Sequence, residues 1–265
     1  MSVVSMGELL IDFVSLESGV TVGEASGFQK APGGAPANVA VGVARLGQKS
    51  AFLGQVGDDP FGYFLRDVLA NEGINLRGLR FTDRARTMLA FVSLGEGGER
   101  SFQFYRHPSA DMLMSPEDVA FEVIDVAQVF HFGSITTISE PSASATYAAA
   151  NRAIEQGLTV SYDPNLRLAL WSDADAARAG LKKGLDYAHV VKISEDEVDF
   201  LVGGDIAKLW RDQTKLIVVT YGAGGSEAYV DGGTSPVAKH DGHTVEPVDT
   251  TGAGDTFTGF LLAAL

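Results

Sequence analysis

The segment DTTGAGDTFTGFLLAAL (residues 249–265) places Gly252 and Gly254 ahead of an apolar helical stretch and Asp255 in its first turn. Glycines there let the backbone turn tightly and bring successive N–H groups to a helix mouth. Those unpaired donors and the helix dipole attract an anion. A carboxylate at the same spot is ill placed to bind phosphate, but well placed to take a proton from a hydroxyl attacking one. The plainer reading is a glycine-rich turn with a dipole-favoured aspartate. At the other end of the chain, PGGAPANVAVGVARLG (residues 32–47) sets Gly33 and Gly34 before a second helix and Asn38 within its first turn. The glycines bare backbone, and the Asn38 amide both donates to and accepts from hydroxyls, unless it only satisfies its own helix start. Asp12, closing the first apolar stretch, either clamps a pair of sugar hydroxyls or finishes a strand edge.

Three more groups carry chemistry or its plainer counterpart. Thr220-x-Gly222-x-x-Gly225 follows a buried strand, and its glycines could admit a nucleotide. It lacks the third glycine of a dinucleotide fingerprint and precedes a strand, so the Rossmann reading is weak; no G-x-x-x-x-G-K-[ST] occurs. In SYDPNLRLALW, Asp163, Asn165 and Arg167 cluster just past a strand, where ligands gather in open α/β sheets. Arg167 suits a phosphate, a substrate carboxylate or a surface ion pair. Tyr105 and Arg106 end a hairpin and either close over a ligand or stay at a sheet edge. Ser194 and Glu197 read as a helix cap and its third residue, with water-mediated magnesium binding the alternative for Glu197. The histidines show no metal spacing.

The elements that must position these residues follow from pattern. The chain has 265 residues, 45% of them apolar, no cysteine and a net charge of −14. That excludes a disulfide framework and a thiol nucleophile, and argues against generic nucleic-acid binding. No apolar run reaches a membrane-spanning length and no signal peptide is evident, so a cytoplasmic protein is expected. From about residue 127 onward, strand-like AQVFHFG, LTVSYD, HVVKI and KLIVVTYG alternate with helical stretches over 142–156, 173–187 and 194–202. This βα alternation predicts an α/β fold: a mainly parallel sheet with helices on both faces. Segments 14–32 and 86–106 read instead as hairpins that pair into a separate small sheet over one end of the core. The chain stops inside an apolar helix, so a further C-terminal segment is expected.

GGAPANVAVGVARLGQKSAFLGQVGDDPFG and DTTGAGDTFTGFL together resemble the two signature segments of the ribokinase-like (PfkB-type) carbohydrate kinases, and the chain is most similar to their fructokinase branch. The resemblance implies a single ribokinase-like domain over 1–265 with a small β-sheet lid. It implies a sugar partner, ATP and Mg2+, and transfer of the γ-phosphoryl group to a sugar hydroxyl, with fructose or 2-keto-3-deoxygluconate as acceptor. A non-catalytic sugar-binding module is the reading from another class. Carried over by position, Asp255 is the base and the Gly252–Ala253–Gly254 amides form the anion hole. Asp12, Gly33, Gly34 and Asn38 hold the sugar, and Thr220, Gly222 and Gly225 line the nucleotide site. Asp249 and Thr251 match positions that help bind a monovalent cation, K+, in many members. The family's Asn-x-x-Glu element reads Ser194-x-x-Glu197 here. Lid strands with open edges also predict a homodimer.

Overall fold

The first apolar stretch is two strands, not one. In the computed structural model, which describes residues 2–94, 100–243 and 252–265, β1 (Ser2–Met6) is buried in the large sheet. The chain then turns at residues 7–9 and enters a different sheet as β2 (Leu10–Ser18). Asp12 therefore lies within a strand of the small sheet, and does not end the first strand. The chain continues through β3 (Phe28–Gly33), α1 (Ala35–Arg45), β4 (Lys49–Gly57), α2 (Pro60–Asn71) and β5 (Asn75–Thr82). Next come β6 (Met88–Leu94), β7 (Arg100–Tyr105), α3 (Phe121–Ile124), β8 (Val129–Gly133) and α4 (Ser142–Glu155). The last third holds β9 (Thr159–Asp163), α5 (Ala174–Leu185), β10 (Val190–Ser194), α6 (Glu195–Val202), β11 (Leu216–Thr220), β12 (Ser226–Val230), β13 (Ala238–His240) and α7 (Ala253–Ala264).

Local signals explain most boundaries. Asp59 caps α2 by accepting from the Phe61 and Gly62 amides at 3.0 and 2.9 Å, with Pro60 first in the helix. Ser194 and Glu197 form a reciprocal capping box at the start of α6. Edge strand β5 escapes the sequence pattern because Arg77, Gly78 and Arg80 interrupt its apolar alternation.

The large sheet runs β13-β12-β11-β10-β9-β8-β1-β4-β5. It is parallel from β11 to β5, with β12 and β13 antiparallel at one edge. Strand order reverses around β1: β4 and β5 lie to one side, β8 to β11 to the other. Loops leaving the carboxyl ends there diverge and open a crevice. Beneath it the core is filled by side chains such as Phe130, Phe132 and Tyr162, all fully buried, with the Phe132 and Tyr162 rings 4.8 Å apart. Among the described residues no helix is long and apolar enough to cross a membrane.

The small sheet, β3-β2-β6-β7, joins two antiparallel hairpins through a parallel β2–β6 pairing. Its first hairpin starts earlier than the sequence suggested, at Leu10, and its second runs from Met88 to Tyr105. Strand alternation gives it two faces. Phe13, Phe91 and Tyr105 share the outer one, where Phe13 stacks on Phe91 with centroids 5.1 Å apart. Leu10, Asp12, Phe102 and Phe104 turn the other way, toward the crevice.

Two helices from opposite ends of the chain close the crevice. α1 and α7 touch where Gly42 faces Gly259: a Cβ on Gly259 would stand 3.0 Å from the Val39 carbonyl and 3.2 Å from the Gly42 Cα. That contact brings the starts of both helices to one place.

Candidate active site

A cavity of about 250 Å³ opens where the carboxyl ends of the large sheet meet the inner face of the small one. Asp255 lies at its base, 8% exposed, in the first turn of α7. Gly252 caps that helix in the left-handed region (φ +75°), with no side chain over the mouth. Such a cap puts no side chain on the first amides of the helix, and Gly252 and Gly254 both line the cavity. Both Asp255 oxygens are held. Asn38 donates from Nδ2 to Oδ2 at 2.8 Å, and Asn165 donates from Nδ2 to Oδ1 at 3.1 Å. Asn165 reaches it from a positive-φ backbone (φ 42°), a conformation asparagine tolerates better than most residues. Burial pushes the Asp255 carboxyl up to about 6, the Asn38 hydrogen bond pulls it down, and the charge of Asp163 adds to the rise. A carboxyl with that value is ionised at neutral pH and still basic enough to accept a proton.

Asp163, ending β9, ties the site to the sheet. Its Oδ2 meets the Lys192 ammonium at 3.1 Å and lies 3.3 Å from the Thr258 hydroxyl, and its Oδ1 accepts from the Asn165 amide at 3.1 Å. Glu197 is buried at the cavity wall with both oxygens engaged, accepting from the Leu166 amide at 2.7 Å and the Ser194 amide at 2.9 Å. Burial and the charge of Asp163 raise its carboxyl.

The cavity thus brings together Asp12, Gly34, Asn38, Arg167, Ser194, Glu197, Gly252, Gly254 and Asp255. Arg167 sits with its guanidinium 5.9 Å from the Phe102 ring centroid and donates to the Leu166 carbonyl. Ala253 is exposed at the helix mouth, between the two glycines. The glycine pair first serves the chain's own packing. A side chain on Gly33 would collide with the Asp12 carboxylate, and one on Gly34 (φ +113°) with the Glu8 carbonyl. Gly33 itself is not among the lining residues.

Other candidates lie elsewhere. Tyr105 is on the outer face of the small sheet, 60% exposed against Phe91, because odd positions of β7 point away from the crevice. Arg106 is 3% exposed and committed to Asp111 at 2.9 Å and to the Ile135 carbonyl at 2.9 Å, so it lies behind the wall. Thr220 stands beside Ser194 in the β10–β11 register, and Gly222 and Gly225 form the next turn, outside the cavity lining. Gly225 is held against the backbone of residues 240–242, where a Cβ would meet the His240 carbonyl. Asp249 and Thr251 lie outside the described residues.

Sequence reasoning passed over Glu8, Phe102, Phe104 and Lys192, all of which line the cavity. The signals were present: a lysine inside the buried strand HVVKI, and alternation along FQFY that separates Phe102 and Phe104 from Tyr105. Glu8 is 1% exposed; its Oε1 accepts from the Ala35 amide at 2.9 Å, and its Oε2 has no partner among the described residues. Burial raises its carboxyl to about 7. Because that value exceeds the unfolded one, the folded state holds the proton more tightly, and stability falls as pH rises through the interval between them. Glu8→Gln removes this effect, so its stability advantage over the wild type should widen between pH 5 and pH 8, by up to about 3 kcal/mol. Urea unfolding at the two pH values measures it, and a constant difference would refute the buried-acid account.

A model for "pfkB family carbohydrate kinase" matches residues 1–265. Over 270 residues the chain is 48% identical to "Probable fructokinase-6, chloroplastic" of Arabidopsis thaliana, covering 99% of this chain and 70% of that protein. It is 49% identical over 266 residues to "Fructokinase-2" of Oryza sativa subsp. japonica, covering 98% and 78%. Among solved structures, Xylella fastidiosa fructokinase with bound ATP superposes with a TM-score of 0.89 at 37% identity, covering 99% of this chain and 80% of that one. A double mutant of Vibrio cholerae O395 fructokinase holding fructose, ADP and a potassium ion gives 0.83 at 37%, covering 99% and 82%. The chain belongs to the pfkB family and is an ATP-dependent carbohydrate kinase.

Proposed function

We propose that the chain is a fructokinase that uses Asp255 as general base and the Gly252–Ala253–Gly254 amides as the anion hole. The observation that carries this reading is the 2.8 Å hydrogen bond from Asn38 to Asp255. It joins the residue expected to read sugar hydroxyls to the residue expected to deprotonate one. In the reaction a fructose hydroxyl oxygen forms a bond to the γ-phosphorus as the bond to the β,γ-bridging oxygen breaks. The hydroxyl proton passes to the Asp255 carboxylate, and ADP leaves with the electron pair. Such a transfer asks the protein mainly for positioning and charge stabilisation. Asp12, Gly34 and Asn38 orient the sugar, and the small sheet acts as a lid that keeps water from competing as acceptor.

Thr220, Gly222 and Gly225 are assigned to the nucleotide side, one strand over from Ser194. Mg2+ would arrive on the ATP phosphates and supply charge neutralisation there. Mg2+ retains several waters at such sites, and both oxygens of Glu197 already accept from amides. Glu197 therefore fits a water-mediated hold on it. K+ belongs to the same reading through Asp249 and Thr251.

An acid substrate such as 2-keto-3-deoxygluconate asks for a cationic partner to its carboxylate, and Arg106 is one of the two arginines that could supply it. Its commitment to Asp111 favours a neutral sugar. The test is sugar-dependent ADP release, with fructose and 2-keto-3-deoxygluconate compared side by side. Fructose should give the higher kcat/KM. A preference for the keto acid would overturn the substrate, and fructose binding without ADP release would favour the non-catalytic module.

A further inference from the structure

Lys192 is the feature of the cavity that the assigned roles do not use. It sits inside β10, hydrogen-bonded on one side to β9 and on the other to β11, with 6% of its surface exposed. Burying an ammonium is costly, and a well-packed apolar pair would serve stability at least as well as an ion pair with Asp163. The fold keeps the charge nonetheless, and its location suggests why. A Cβ added to Gly254 would stand 3.0 Å from Nζ, so the ammonium lies directly against the turn whose glycines, Gly252 and Gly254, line the cavity. The Thr258 hydroxyl is within reach of both the Asp163 carboxylate (3.3 Å) and the Gly254 carbonyl (3.0 Å), which locks that turn to the same carboxylate that holds the lysine.

The cavity's other cation among the described residues, Arg167, is on the lid side over Phe102. Facing it are Glu8, Asp12, Glu197 and Asp255, in a chain of net charge −14. Several more negative charges arrive with a nucleoside triphosphate, and a buried cation beside the anion turn is where charge compensation is most effective, because water cannot screen it. We propose that Lys192 is a catalytic residue: its ammonium meets the transferring phosphoryl group, while Asp163 and Thr258 hold it against the Gly254 turn. This rests on the kinase reading of the cavity. Burial works against the ammonium's charge, but Asp163 and Glu197 more than compensate and hold its pKa above the usual lysine value. Lys192 is therefore charged throughout the working pH range. Its side of the site also explains Gly254: any larger residue would displace the cation.

Wild type, Lys192→Met and the double variant Lys192→Met/Asp163→Asn decide the matter. With fructose as acceptor, Lys192→Met should lose at least about 100-fold in kcat, the scale of one preorganised charge-stabilising group, with KM for fructose changed less than about threefold. Binding of ADP with tetrafluoroaluminate, which mimics the phosphoryl group in flight, should weaken at least tenfold more than binding of ADP alone. The double variant removes both buried charges, so it remains folded if Asp163 left unpaired is what unfolds the single one. It should stay as inactive as the single variant. Recovery of the double variant toward wild-type turnover would mean that Lys192 only neutralises Asp163, and would overturn the proposal. So would Lys192→Met retaining a third or more of wild-type kcat. A wild type inactive on every sugar would instead defeat the kinase reading beneath it.

Discussion

Asp255→Asn should lower kcat with fructose by about 10²–10⁴-fold, the usual contribution of a positioned general base, while sugar affinity changes little. The variant keeps shape and size, so loss of turnover reports loss of a proton acceptor. Asn38 and Asn165 would each face an amide in place of a carboxylate, and one of the two hydrogen bonds can be kept by rotating the new side chain. A pH profile strengthens the test. The carboxylate must be ionised to act, and burial raises it to about 6, so kcat/KM of the wild type should fall on the acid side of that value. In Asn38→Ala the hydrogen bond that lowers the pKa is gone, and the acid limb should move to higher pH. An Asp255→Asn variant within tenfold of wild type would remove the base from the mechanism.

Gly259→Val should cost both stability and turnover, although it lies about one helical turn beyond Asp255, outside the cavity lining, and improves intrinsic helix propensity. The new Cβ would stand 3.0 Å from the Val39 carbonyl and 3.3 Å from the Val43 amide nitrogen, and the branch adds further bulk. Overpacking of this kind costs about 1–3 kcal/mol. The helices can relieve it only by separating, which shifts Asp255 from Asn38. A displacement near 1 Å can cost about 100-fold in rate. Thermal melts and fructose kinetics on the variant measure the two effects, with Ala264→Val, exposed at the end of the same helix, as the control. Unchanged kinetics in Gly259→Val would show that the helix contact does not set the site.

The sequence carried the parallel core well, because buried strands such as HVVKI and LTVSYD alternate cleanly with capped helices. Asp255, Asn38 and the glycine turn were legible for the same kind of reason: each sits at a helix start, where backbone donors are unpaired by geometry. What stayed hidden depended on direction and depth. Whether Tyr105 or Phe104 faces the cavity is a matter of strand parity, and the arginine beside it is drawn inward by Asp111, a partner the hairpin does not contain. The single apolar run at the start concealed a change of sheet at residues 7–9, since both strands are buried at their junction. Lys192 was passed over because a charge inside a strand reads as an interruption until its neighbours from β9 and α7 are known.

The bond between Asn38 and Asp255 spans 217 positions of the chain. On the ribosome, α1 with Asn38 is made long before α7 with Asp255 exists, and the two can meet only once residue 255 has emerged. A nascent chain that has not yet made α7 lacks the Asn38–Asp255 pair, so under the proposed mechanism turnover can begin only when α7 docks on α1.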